Sequence, residues 1–265
     1  MQYNKIYPAD VIKHIVCFFW EFEGSFTESE PYAHGLTASV NPKLAFQYSG
    51  LMHIQHDNDA SPLFQSGFQC QTSAHLTISA TQPVGIFGTY FYPFAIPLLF
   101  GVPAHALTNY NIEISDVLGI EGAELAERIM TCRNTAARVA TMTSFLTNKL
   151  SKGLDSPKDM IATVNYITAR SGKVDINELV NRNFLSQRQF ERKFKSWIGF
   201  PAKLFTRIVR FEACLASAAA SSQSLVQLSL DSGYYDQSHM IRDFKEFSGT
   251  HPRSYLTENH SSFFE

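Results

Sequence analysis

LSQRQFERKFKSWIG, Leu185 to Gly199, and YDQSHMIRDFKEFSG, Tyr235 to Gly249, repeat one pattern fifty residues apart. Phe190, Phe194 and Trp197 fall at i, i+4 and i+7, and Met240, Phe244 and Phe247 repeat that spacing. Each stretch therefore predicts an amphipathic helix with one buried stripe. Ser186 and Asp236 precede the runs, where a short oxygen-bearing side chain can accept from an orphan helix N–H, so both are expected N-caps. Upstream, Ile176, Leu179, Val180 and Asn183 are mirrored at the same offset by Val226, Ser229, Leu230 and Gly233. Asn183 and Gly233 are the residues expected to take a left-handed turn conformation. A helix, a tight turn and a capped second helix make a helix-turn-helix, here predicted twice.

The outward faces carry matching chemistry. Gln187, Arg188, Gln189, Arg192 and Lys193 project from the first copy, and Gln237, Ser238, His239, Arg242 and Lys245 from the second. Arg can pair with guanine O6 and N7 and Gln with adenine N6 and N7, while Ser and His are adaptable partners, so these faces suit base edges in a major groove. A solvated face is the bland alternative, and for Lys193 alone it is the better one. With the caps Ser186 and Asp236, these twelve residues form the candidate DNA-binding set.

From about Ser156 to Leu256 the chain resembles the DNA-binding domain of the AraC/XylS transcription regulators. GYYDQSHMIRDFKEFSGTHPRSYL, Gly233 to Leu256, carries the likeness: the aromatic after Gly, the DQSH run, the Phe-Lys pair and the late Pro. The resemblance implies a linker helix, Pro201 to about Ala220, holding two reading helices about one turn of DNA apart in successive major grooves. It also implies double-stranded DNA as partner and an N-terminal regulatory half. A small-molecule effector, a second copy of the chain and RNA polymerase are the further partners to consider. Asn183, where Gly is common, and SSQS at 221–224 depart from the pattern. Since Arg188, Arg192, Lys193 and Lys195 make the first copy the more basic, it is expected to contribute more affinity. The second, with Asp236, Asp243 and Glu246, is expected to serve DNA shape or polymerase contact equally.

Charge agrees in direction. Residues 1–150 hold seven Lys and Arg against twelve Asp and Glu, whereas 151–265 hold fifteen against twelve. A sequence pI of about 6.5 excludes a whole-protein nucleic-acid coat, but a local basic face suffices for phosphate contact. At 265 residues and 45% hydrophobic content the chain is long and apolar enough for two cores and is not a disordered protein. No apolar run approaches a membrane span, and MQYNKIYPAD is not a secretory leader, so the expected location is cytoplasmic.

The first half reads differently, as short apolar runs broken by Pro, Gly, Asn and Ser. Ile15–Phe22, Lys43–Tyr48, Gly50–His56, His75–Ser79 and Val84–Tyr90 are candidate strands. Leu125, Ile129, Val139, Met142, Phe145, Leu146 and Leu150 predict one or two helices over Ala123–Leu150, and SKGLDSP, Ser151 to Pro157, reads as a hinge. The expected fold is α+β: a β-rich domain, barrel-like or cupin-like, over 1–150; a linker at 151–157; an all-α domain of two helix-turn-helix units over 158–257; and a tail at 258–265. Gly85–Asn109 resembles uncharacterised N-terminal modules of less-studied AraC-type members. Within this half Trp20, Tyr48, His53, Phe87, Tyr90 and Tyr92 are candidate ligand-cavity residues, although aromatics are more often core.

Enzymatic readings fare worse. A cupin metal site needs HxH, whereas HIQHDND places His53 and His56 on opposite faces of a strand. No metal, cofactor or catalytic residue is assigned, and GxSxG, HExxH, GxGxxG and P-loop patterns do not occur. Cys17, Cys70, Cys132 and Cys214 share no CxxC spacing and are expected to be incidental thiols. The alternative is an enzyme or DNA-repair protein carrying an AraC-like module. It would need four clustered N-terminal cysteines, and Cys214 falls in the linker helix.

Overall fold

The computed structural model describes residues 1–56, 59–151, 156–220 and 224–257. Its first half contains β1 (Gln2–Ile6), β2 (Val16–Gly24), β3 (Tyr32–Leu36), β4 (Lys43–Ser49), β5 (His53–His56), β6 (Asp59–Pro62), β7 (Ser66–Gln69), β8 (Leu76–Ala80) and β9 (Val84–Phe91). There follow α1 (Ala95–Phe100), a 3-10 turn at Ala104–Ala106, β10 (Asn111–Glu113), α2 (Ile114–Leu118), α3 (Ile120–Met130) and α4 (Thr135–Ser151). The remaining helices are α5 (Lys158–Ala169), α6 (Ile176–Arg182), α7 (Gln187–Ile198), α8 (Ala202–Ala220), α9 (Leu225–Asp231), α10 (Gln237–Ser248) and α11 (Pro252–Thr257).

The strands form two antiparallel sheets, one of six in the order β1-β2-β9-β4-β7-β10 and one of four in the order β3-β8-β5-β6. The expected β-rich α+β class holds, and among the described residues the two sheets pack on each other without closing into a barrel. The reason lies in β2 and β9, which are buried on both faces. Phe18, Trp20, Phe22 and Ile86 face the small sheet, with Leu36, Met52 and Ile78. Phe19, Phe87 and Phe91 face the other way, against α1, α3 and α4 through Ala95, Ile96, Leu125, Ile129, Met142 and Phe145. A sheet with apolar side chains on both faces needs a layer on each, here a small sheet and a set of helices. A register shift between Val16 and Phe18 changes the alternation within β2. On the helix side, buried Glu21 is held by Arg138 of α4 at 3.0 Å and by the Thr135 hydroxyl at 2.5 Å.

In the second half α8 is the shared wall of two helical units. Phe205 meets Phe194 edge-on at 5.5 Å, and six residues later Phe211 meets Phe244 at 5.0 Å and Phe247 at 5.5 Å. The two aromatics of one helix thus bind the two copies to each other. This core extends into the first half through Ala38, Val40 and Phe94. The expected hinge falls largely at 152–155 and SSQS largely at 221–223, outside the described residues.

Candidate nucleic-acid interface

Both reading helices begin as their sequences dictate. The Ser186 hydroxyl accepts from Gln189 N–H at 3.4 Å while the Gln189 amide oxygen accepts from Ser186 N–H at 3.1 Å, a complete capping box on α7. The Asp236 carboxylate accepts from His239 N–H at 2.7 Å and caps α10. Phe190, Phe194 and Ile198 are buried below α7, and Met240, Phe244 and Phe247 below α10.

The register upstream differs from the expectation. Over the reading helices the offset is fifty, but over the supporting helices it is forty-nine. Asp175 caps α6 and Ser224 caps α9, while buried Leu179 and Val180 correspond to buried Leu228 and Ser229. Val226 and Leu230 are accordingly exposed. Asn183 is not left-handed either, having φ −93°, and its amide binds Thr163 and the Leu179 carbonyl. Phe184 takes that role at φ 52°, as Gly233 does at φ 75°. The first turn reaches its cap two residues after the left-handed position and the second reaches it after three, which absorbs the missing residue.

Of the twelve candidate DNA-binding residues, Gln187, Arg188, Arg192, Ser238, Arg242 and Lys245 are exposed, and Gln237 is half-buried. Ser186, Gln189 and Asp236 are engaged in capping. Lys193 pairs with Asp159 of α5, and the His239 ring lies edge-on to Tyr234 at 5.5 Å. Asp243, counted with the acids of the second copy, is wholly buried. Both it and Glu246 are gripped at 2.6 Å by Arg207 of α8. Burial pushes the Asp243 carboxyl above the ordinary range despite the opposing Arg207. Sequence periodicity marked the face of α10 but not this tie, whose partner lies on another helix.

The C-terminal turns of both reading helices rest on the first half. The Ile198 carbonyl accepts from the Gln71 side-chain amide at 3.3 Å and the Phe247 carbonyl from Ala38 N–H at 2.8 Å. Nearby, Val40 N–H donates to Glu212 of α8 at 3.3 Å. Between the halves lies a cavity of about 240 Å³, lined by His34, Ser39, Asn41, Lys43 and Tyr90 on one side and Glu212, Ala216 and Tyr255 on the other.

The six candidate ligand residues do not converge. Tyr90 lines that cavity, with its hydroxyl 3.2 Å from Ser39 Oγ. Trp20 lines a smaller apolar cavity inside the sandwich, and Phe87 is core. Tyr48 donates to Glu23 under the Arg138 guanidinium, Tyr92 stacks on Phe94, and His53 sits half-buried on β5. Among the described residues no group of His, Cys, Asp and Glu could hold a metal. No described helix is long and apolar enough to cross a membrane.

Two helix-turn-helix units with capped, polar, exposed reading helices on one linker helix define a DNA-binding protein. Comparison agrees: the family described as "Helix-turn-helix domain" matches residues 179–258, and "Domain of unknown function (DUF6597)" matches residues 4–113. The chain thus carries a DNA-binding helix-turn-helix domain following that N-terminal domain, the arrangement of a DNA-binding transcription regulator. No curated protein matches it. Among solved structures it is similar to ToxT from Vibrio cholerae O395, at 11% identity and a TM-score of 0.48 over 90% of this chain and 97% of that one. ToxT bound to (E)-4-(8-methylnaphthalen-1-yl)but-3-enoic acid gives 10% identity and a TM-score of 0.47 over 97% and 99%. Unsaturated fatty acid bound wild-type ToxT from strain SCE256 gives 10% and 0.47 over 89% and 93%.

Proposed function

We propose that the chain binds a specific duplex site with the N-terminal turns of α7 and α10 in successive major grooves, under control of a small molecule seated between its halves. Gln187, Arg188, Arg192, Gln237, Ser238 and Arg242 read base edges in this scheme, and Lys245 approaches phosphate. Ser186, Gln189 and Asp236 hold the helix starts, while Lys193 and His239 support the faces. Residues 1–150 act as the regulatory domain and 158–257 as the DNA-binding domain, and the protein works in the cytoplasm as a regulator without catalytic activity. RNA polymerase and a second copy of the chain are its further partners.

One observation carries the proposal: both reading helices expose their polar N-terminal turns while their C-terminal turns rest on the regulatory half, through Gln71 to Ile198 and Ala38 to Phe247. Any shift of that half moves both helices. A molecule in the cavity walled by Lys43, Tyr90 and Glu212 touches both halves, so it can bind one arrangement better than another and shift the population between them.

Footprinting the full chain on a duplex selected from a random library tests the DNA reading. Two protected major-groove segments about ten base pairs apart are expected, and a single segment would refute it. Ala216→Trp, which fills the cavity, tests control: operator affinity should change about fivefold or more, the scale of an allosteric coupling. Unchanged affinity in a variant of normal thermal stability would remove the effector site and leave the DNA reading standing.

A further inference from the structure

Phe184 and Tyr235 are the two most exposed large hydrophobic side chains among the described residues, at 95% and 90%. Both lie in the turns that precede reading helices, Phe184 two residues before the Ser186 cap and Tyr235 directly before the Asp236 cap. Their neighbours behave otherwise: Leu185 packs against the core and Tyr234 is 4% exposed. Core packing therefore accounts for one apolar residue in each turn and leaves the other facing water.

Phe184 is the more telling of the pair. Its φ of 52° puts a side chain where Cβ crowds the following carbonyl. The second copy avoids this cost with Gly233. The Asn183 amide, bound to Thr163 and the Leu179 carbonyl, holds the turn in this form, but the Phe184 ring itself, exposed at 95%, gains almost no burial from it. Backbone strain of this kind accompanies sites where an external partner completes the environment.

The place of the two rings identifies the partner. Each stands beside a helix start that carries exposed polar residues, Gln187 and Arg188 in one unit and Ser238 in the other. Resting on the reading proposed above, those helix starts enter the grooves and their turns meet the groove edges, where sugars border the bases. We propose that Phe184 and Tyr235 are DNA-contacting residues whose ring faces pack on deoxyribose at the edges of the two major grooves. Such contacts add affinity without reading sequence.

The test uses the full chain and a duplex that the wild-type protein selects from a random library, with binding followed by fluorescence anisotropy. Phe184→Ala and Tyr235→Ala should each weaken binding about tenfold, the effect of uncovering roughly half an aromatic side chain. The same ratio should hold on an unselected duplex, and Tyr235→Phe should bind as wild type does. Phe184→Gly should lose affinity likewise while its Tm rises by about 2 °C, because the left-handed strain is relieved. A merely structural residue cannot give that opposition of sign. Wild-type affinity in both alanine variants would overturn the proposal, as would a loss confined to the selected duplex with an altered selected motif, which is the mark of base readers. Normal affinity with lost transcription activation would assign the rings to a protein partner and overturn it too. Failure of the wild-type protein to bind any duplex would instead overturn the underlying DNA reading.

Discussion

Replacing Arg207 by Met should destabilise the protein far more than replacing its partner Asp243 by Asn. The Asp243 side chain is fully buried, Arg207 is 24% exposed and Glu246 is 44% exposed. Arg207 keeps Glu246 when Asp243 becomes neutral, so Asp243→Asn should cost about 1 kcal/mol, the worth of a hydrogen bond. Arg207→Met keeps much of the aliphatic stem but removes the guanidinium, which lies 4.9 Å over the Phe247 ring, and leaves the buried Asp243 carboxylate without its ion-pair partner; removing one member of such a pair costs about 3 kcal/mol or more. In a chain of this size that lowers Tm by about 8 °C.

A pH series checks the cause. The Asp243 carboxyl is already raised by burial and opposed by Arg207, so removing Arg207 raises it further. Between the two folded-state values the variant's native state binds a proton that the wild type does not. Its deficit must therefore shrink as pH falls from neutral, by at most about 1.4 kcal/mol per pH unit. Adding Asp243→Leu to Arg207→Met removes the orphan charge and should restore stability to within about 1 kcal/mol of wild type. Thermal and urea unfolding of the four proteins settles the matter. Equal costs for the two single variants, or a deficit that grows on acidification, would refute the account.

Three further outcomes are expected. Arg242→Ala should cost about 1 to 3 kcal/mol on the selected duplex and relax base preference there, whereas an equal loss on every sequence would make Arg242 a phosphate clamp. Phe194→Ala should cost about 3 to 5 kcal/mol in unfolding assays, since its buried ring meets both Phe190 and Phe205; normal thermal stability would refute its core role. Alkylation of the native protein should spare Cys17 and Cys70 between pH 7 and 9, because burial pushes both thiols up to about 12 and little thiolate forms below that. Rapid labelling at either would show that its pocket opens.

How much of this was legible in the chain follows from which interactions are local. The reading helices were, because the i, i+4, i+7 spacing of Phe190, Phe194 and Trp197 and the caps Ser186 and Asp236 are determined within fifteen residues. The α8 helix followed only from the family resemblance, whereas the apolar runs placed five of the strands to within a few residues. The edge and short strands β1, β3, β6, β7 and β10 were not, since a strand such as Ser66–Gln69 has no periodicity apart from the neighbours it pairs with. The choice between a barrel and an open pair of sheets is not local for a related reason: the two-faced burial of Phe18, Phe19 and Trp20 calls for two covering layers, and only tertiary packing reveals that one of them is α-helical.

The turn of the first unit shows the sharpest limit. Asn tolerates a left-handed position, which favours Asn183 there, yet the Asn183 amide is worth more bound to Thr163 and to the Leu179 carbonyl. The positive φ passes to Phe184, a residue that propensity would choose almost last. Local preference is a matter of tenths to about 1 kcal/mol, and one satisfied, half-buried amide is enough to reverse it. A sequence rule fails at such a place because it ranks Asn183 and Phe184 separately, whereas the fold chooses between two arrangements of the pair.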